Sequence, residues 1–338
     1  MRFALTEDQA ALRDAVRELL GRECPPALVR EAWEGGASAP RVAAVWAKLA
    51  EMGVIGAAVP EEAGGLGLGA CDVVPLLEEA GRVALPLPIV ETAFVAGPLL
   101  AAAGDEEAVG RIVEGELLVA CALDGGATVP WAGDAGLVLV ADDPGAPIRR
   151  LEGELSPADS LDGARRVGVL ADPAAGEPLD APAEAFRAAW NRGALGAAAQ
   201  LIGLSRALLA MTVAYAEERR QFGVPIGSFQ AVKHHLANAL LGLEFAAPAV
   251  LRAAWSLDIG ADTAGRDVAM AKALASEAAE RVAATALQAH GAIAYTTEYD
   301  LHLFAKRVWA SARTWGDAEW QRARVADALG LDMEGSTR

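Results

Sequence analysis

Between two long alanine-rich segments the chain reads Glu218-Arg219-Arg220-Gln221-Phe222-Gly223-Val224-Pro225-Ile226-Gly227-Ser228-Phe229-Gln230. Proline and glycine interrupt the helical pattern on either side, so the run is a connector. It gathers two arginines, two glutamines and two phenylalanines. Guanidinium forks match phosphate oxygens bidentately, and aromatic faces stack on flat rings. The same composition also describes a helix-connecting loop with a solvated arginine pair. On chemistry alone both readings stay open.

Outward from this run the pattern is helical. One helix is predicted over 183–218, and a second starts near Ser228 and continues through Leu236, Leu240, Leu243 and Phe245. A third spans about Thr263 to His290, and a last stretch follows Tyr299 to Leu329. Long helices side by side over 183–338 predict a four-helix bundle, with Glu334 to Arg338 fraying. Upstream, 117–182 is rich in Gly, Pro and Asp. Its short β-favouring runs, Leu117-Leu118-Val119, Leu137-Val138-Leu139-Val140 and Val167-Gly168-Val169-Leu170, predict a small antiparallel β domain. The first 116 residues again read as helices. Thr6 caps one that Pro25-Pro26 ends, a second covers Val42 to Met52, a third runs from Cys71 to Arg82, and a fourth covers Thr92 to Val113.

Composition narrows the function. The chain has 338 residues, 53% of them hydrophobic, and a formal charge of −17. Nucleic acid is a poor partner for so acidic a chain. The three cysteines and four histidines show neither a disulfide framework nor a metal spacing. No apolar leader is evident and no uninterrupted apolar stretch is expected to be long enough to span a bilayer, so a cytoplasmic location is expected. Gly64-Gly65-Leu66-Gly67-Leu68-Gly69 lacks the preceding strand and the spacing of a dinucleotide fingerprint, and reads as a surface loop. His234 and His235 point to different sides of one helix and cannot chelate together.

Several segments together resemble the acyl-CoA dehydrogenase family. The connector is similar to its Arg-x-Gln-Phe-Gly-x-Pro-Ile signature followed by Phe-Gln. Phe3-x-Leu5-Thr6-Glu7-Asp8-Gln9, Leu49-Ala50-Glu51-Met52-Gly53 with Val59-Pro60-Glu61-Glu62, Leu76-Leu77-Glu78-Glu79-x-Gly81-Arg82, Gln288-Ala289-His290-Gly291 and Glu319-Trp320-Gln321-Arg322 follow in the family's order. The resemblance implies a mainly α fold: an N-terminal helical domain, a β domain (here reduced) and a C-terminal four-helix bundle. It also implies FAD lying across a subunit interface. Arg219, Gln221, Phe222, Phe229, Gln230, Gln288, Gly291 and Ala292 would then hold the adenosine side of a flavin seated on a neighbour.

The sequence also departs from that family. Where the β domain normally carries Thr-Glu-Pro-x-x-Gly-Ser-Asp, this chain has Ala122-Leu123-Asp124-Gly125-Gly126-Ala127-Thr128-Val129-Pro130. The base that removes the α-proton stands in the family at one of two places. Six residues before Gln321 is Trp315, and 29 before Phe222 is Gly193. Neither takes a proton, and Glu184 lies roughly 13 Å along the helix at about 1.5 Å per residue. No catalytic residue is therefore expected on this chain. Gly291-Ala292-Ile293-Ala294 replaces Gly-Gly-x-Gly, and Asp317, where Thr or Ser is usual, disfavours a flavin nearby.

The elements that serve a neighbour's flavin are kept, and those that would serve the chain's own are lost. The resemblance thus implies a short, base-lacking subunit of an α2β2 acyl-CoA dehydrogenase, similar to actinobacterial steroid side-chain enzymes. A homologous catalytic partner would bind the acyl-CoA, and an electron-transfer flavoprotein would accept the electrons. A homomeric dehydrogenase with a non-standard base and a non-catalytic scaffold subunit are the alternatives.

Overall fold

The computed structural model describes residues 4–153, 155–172 and 174–331, so Phe3 of the opening motif and the terminal residues from Glu334 lie outside it. Helix α1 (Glu7–Glu23) opens on a capping box in which Thr6 Oγ1 accepts from Gln9 N at 3.2 Å and Gln9 Oε1 accepts from Thr6 N at 3.0 Å. Pro25-Pro26 ends α1, as the sequence suggests, but Pro26 also starts α2 (Pro26–Gly35). Its missing N–H costs nothing in a first helical turn. Helices α3 (Pro40–Glu51) and α4 (Ala70–Arg82) follow. The expected helix over Thr92 to Val113 is three pieces: a buried π-helical segment, Val90–Ala96, then α5 (Gly97–Ala102) and α6 (Glu106–Val113), separated at Gly104.

The middle of the chain forms two small sheets. Strands β1 (Val119–Ala122), β3 (Leu137–Val140), β4 (Arg149–Leu151) and β7 (Glu177–Pro178) lie in the order β1-β3-β4-β7. Strands β2 (Thr128–Val129), β6 (Val167–Val169) and β5 (Ser156–Ala158) form the second. The module is not wholly antiparallel: β1 and β3 run parallel, Val119 opposite Leu137. That connection crosses between sheets through β2 and a turn at Trp131, whose φ is +69°.

Helix α7 (Ala183–Glu218) is the central strut of the bundle, packed by α8 (Gln230–Asp258), α9 (Ala264–His290) and the pair α10 (Leu301–Arg313) and α11 (Ala318–Ala328). The single last stretch read from the sequence is therefore two helices, broken at Thr314-Trp315-Gly316, where Trp315 and Gly316 have φ of +60° and +78°. The N-terminal helices join the bundle at close range. A Cβ on Gly203 would meet Glu78 O at 1.9 Å, and one on Gly81 would meet Gln200 O at 2.2 Å, so only glycine permits this α4–α7 approach. A buried ionic cluster ties the β module to both sides. Arg307 pairs with Asp162 and donates to Leu85 O at 2.7 Å, and both Arg307 and Arg165 face the Trp131 ring.

By length and composition, two of the described helices, α7 and α8, are long and apolar enough to cross a bilayer, contrary to the sequence expectation. The apolar window of α7 is mostly buried inside the bundle. That of α8 is only 28% buried, which leaves an apolar face on the surface.

Candidate functional site

The connector is a built structure rather than a slack loop. Arg219 N–H continues the helical pattern to Tyr215 O at 2.8 Å, and Ile226 N closes back onto Arg219 O at 2.7 Å. Between them Arg220–Gln221 (β8) pairs antiparallel with Val224–Pro225 (β9) across a two-residue turn, Phe222-Gly223. Both turn residues have positive φ, +51° and +82°, the geometry that fits the twist of a tight hairpin. Glycine adopts it freely, whereas a phenylalanine there costs about 1–2 kcal/mol. The strained residue is also the most displayed: Phe222 is 92% exposed and stands edge-on to Phe229, centroids 6.2 Å apart. Backbone strain spent on showing an aromatic face to solvent points to a binding role.

Arg219, Gln221, Phe229 and Gln230 are exposed on the same connector and the first turn of α8. The other predicted contacts lie at the end of α9, where Gln288, Gly291 and Ala292 are exposed and Gly291 turns the chain with φ +66°. Tyr215, in the last turn of α7, stacks on His290 between Gln288 and Gly291, centroids 4.3 Å apart. The two groups of residues thus meet at one end of the bundle.

The family base positions meet elsewhere, and they meet each other. A Cβ built on Gly193 would lie 2.4 Å from Cε3 and Cζ3 of Trp315, so the indole lies directly on the glycine. Trp315 is 6% exposed and packs at 5.5 Å against Trp190, which in turn packs at 5.4 Å against Trp320. The loop that carries Trp315 is braced from beneath. Gln321 Nε2 donates to Trp315 O at 2.6 Å. The fully buried Lys272 donates to Ser276 Oγ at 2.9 Å and to Ala312 O and Gly316 O at 3.1 Å each. Asp317 has a structural use here: it caps α11, its carboxylate accepting from Trp320 N at 2.9 Å.

What remains beside Trp315 is a cavity of about 180 Å³, below the roughly 300–1,000 Å³ of ligand sites. It opens between the segment expected to face a flavin ring (Ala122, Asp124, Thr128 and Pro130) and Trp190, Thr314 and Trp315. The sequence reading missed one lining residue, Glu91, a buried carboxyl from the π-helical segment. Burial raises its pKa above the ordinary carboxylate value, opposed by the nearby Arg165 and Arg307 charges and the Trp315 indole N–H. Arg165 is itself buried, and that burial lowers its pKa. Glu91, and not Glu184, is the buried acid that reaches the space beside the base positions, with the exposed Asp124 at its edge. A shrunken cavity floored by indole cannot take an isoalloxazine, so the residues present do not fit a flavin ring on this chain. The exposed connector fits the adenosine end of one.

Comparison with known proteins identifies the family. The acyl-CoA dehydrogenase N-terminal domain model matches residues 6–115, and the C-terminal domain model matches residues 183–330. The chain belongs to the acyl-CoA dehydrogenase family. Acyl-CoA dehydrogenase IpdE2 of Mycobacterium tuberculosis is 33% identical over 91% of this chain and 92% of its own length. IpdE2 of Mycolicibacterium smegmatis is 31% identical over 95% and 98%. Among solved structures, the ChsE4-ChsE5 complex from Mycobacterium tuberculosis superposes with a TM-score of 0.82 at 26% identity, covering 98% of this chain and 99% of that one. The Tcur3481-Tcur3483 steroid ACAD gives 0.83 at 25%, covering 98% and 99%. The acyl-CoA dehydrogenase fold, mainly α with a reduced β middle, is thereby established for this chain, and the family is one of oxidoreductases. Glu91 stands in the sequence beside Ala84-Leu85-Pro86-Leu87-Pro88, a run with Glu91-Thr92 that resembles the steroid branch of the family, but nothing in that run marks it as a site residue, because its neighbours in space are far away in sequence.

Proposed function

We propose that this chain is the non-catalytic subunit of a heteromeric, α2β2 acyl-CoA dehydrogenase that introduces an α,β-double bond into an acyl-CoA. It lends the adenosine-side grip to an FAD whose ring sits on a homologous catalytic partner. When bound, FAD accepts the hydrogen that leaves the β-carbon as hydride. The partner supplies the carboxylate that takes the α-proton and binds the acyl-CoA; an electron-transfer flavoprotein is the acceptor. On this chain Arg219 meets diphosphate oxygens, Phe222 and Phe229 cover the adenine side, and Gln221, Gln230, Gln288 and the Gly291-Ala292 backbone supply polar contacts. The observation that carries this reading is the contact of Trp315 with Gly193, which fills the chain's own base site while the connector stands exposed.

Likeness to a two-protein complex, ChsE4-ChsE5, supports a partner, and likeness to a steroid ACAD supports a steroid side-chain thioester as the substrate. The apolar face of α8, with Leu240, Leu241 and Phe245 exposed, gives the partner a surface to cover. A second reading rests on Glu91, whose raised pKa and place in the cavity suit a general base in a homomeric enzyme. Coexpression with the homologous partner separates the two. The proposal expects Arg219→Ala to lower flavin content about tenfold or more, the scale of one charge-assisted contact at roughly 1.5–3 kcal/mol, and Glu91→Gln to leave turnover per flavin unchanged. Loss of turnover in Glu91→Gln with flavin retained favours the second reading. Unchanged flavin in Arg219→Ala favours a mere scaffold.

A further inference from the structure

The proposed grip is split between two helices: the connector follows α7, and Gln288 to Ala292 end α9. Three aromatic rings lock those ends together. Tyr215 lies one turn before Arg219 and stacks on His290 at a 23° interplanar angle. Its hydroxyl donates to the His290 carbonyl at 3.4 Å, and Gly291 N–H donates to Leu287 O. The peptide between His290 and Gly291 is therefore held on both sides just where the chain turns outward. Tyr299, leading into α10, closes the triangle at 6.0 Å from Tyr215 and 5.0 Å from His290.

The hydrogen bonds fix the state of the ring. His290 Nδ1 lies 2.8 Å from Ala286 O, a pure acceptor, so Nδ1 carries the proton. Nε2 is then the acceptor for the Tyr299 hydroxyl at 3.3 Å. Burial lowers the pKa of His290, in keeping with a neutral ring. Every polar atom of the imidazole is used inside the protein, so the ring has no capacity left to touch a ligand itself. Its reach is to α7 and α10, on either side of the residues that do.

We propose that His290 is a positioning residue for dinucleotide binding, setting through Tyr215 and Tyr299 the spacing between the connector and the Gln288–Ala292 turn. This rests on the flavin-sharing reading above and adds to it the element that keeps the two half-grips in register. Groups that hold a ligand keep their geometry only when their own supports are locked. The test uses the coexpressed complex, with FAD affinity and competition by ADP measured by flavin fluorescence. His290→Phe keeps a ring to stack on Tyr215 and removes both ring hydrogen bonds. It is expected to weaken FAD and ADP by the same factor, about five- to thirtyfold, the scale of one or two buried hydrogen bonds at roughly 1 kcal/mol each. FMN, which lacks the adenosine end, is expected to bind as in the wild type, a split that general loosening of the fold would not produce. Tyr299→Phe, which removes one bond only, is expected to give a smaller loss of the same kind and serves if His290→Phe does not assemble. FAD and ADP affinities within twofold of wild type in the assembled variants overturn the inference. If Arg219→Ala is equally silent, the flavin-sharing reading has failed; if Arg219→Ala alone weakens binding, only the role of His290 has.

Discussion

Trp315 and Gly193 are best understood as one unit. The indole occupies the volume that a side chain at 193 would need, and its left-handed backbone is sustained by Lys272 and Gln321 beneath it. Gly193→Ala is expected to destabilise the fold by about 1–3 kcal/mol, the range for overpacking a core. Adding it to Trp315→Ala is expected to cost little beyond Trp315→Ala alone, since contacting residues are not additive. Urea titrations of the single and double variants measure the coupling; additive losses would show that the two do not share this space. Lys272 makes a pH-dependent prediction. Burial pulls its ammonium down to about 7 from 10.5. Between those values the unfolded chain holds a proton that the folded chain releases, so folding gains as pH rises through that window. The stability of the wild type relative to Lys272→Met should therefore increase from pH 7 to pH 9.5. A difference that does not change with pH would contradict this.

Among the elements, α8 carries the plainest consequence. Its surface shows Leu240, Leu241 and a Phe245 that is 70% exposed, beside an apolar groove of about 560 Å³ against α7 lined by Val213 and Leu236. A charge placed there meets water in the isolated chain and apolar surface in an assembly. Phe245→Glu is expected to leave the stability of the chain alone within about 0.5 kcal/mol, as exposed positions do, while weakening association with the partner at least tenfold, read by analytical ultracentrifugation. Unchanged association would remove α8 from the interface. Elements set by local chemistry were legible in the sequence: α7 runs over the expected residues because a long alanine-rich stretch is bounded by Pro182 and the connector. Elements set by distant contacts were not. The turn at Trp315 depends on Lys272 from α9, and the parallel pairing of β1 with β3 depends on an excursion through the second sheet. In the sequence Pro26 signals a stop, although the same fixed φ also starts a helix. The connector announced its chemistry in consecutive residues; Glu91 reaches its site only through folding.

At the scale of the whole molecule, polar binding groups stand outside and the interior site is filled. The Arg219–Gln230 connector and the α9 turn display arginine, glutamine and aromatic side chains to solvent, while the region between β1, α7 and the Trp315 turn holds three indoles and a cavity of about 180 Å³. This arrangement supports the proposal that the chain grips a cofactor whose ring lies elsewhere, and a net charge of −17 makes it a poor sole host for a polyanionic thioester. The most direct measurement is flavin stoichiometry by absorbance, combined with native mass, for the chain alone and for the coexpressed complex. The account predicts a colourless isolated chain and a complex with one FAD for each pair of unlike subunits. An isolated chain carrying one FAD per protomer, or a complex carrying one FAD on every subunit, would contradict it.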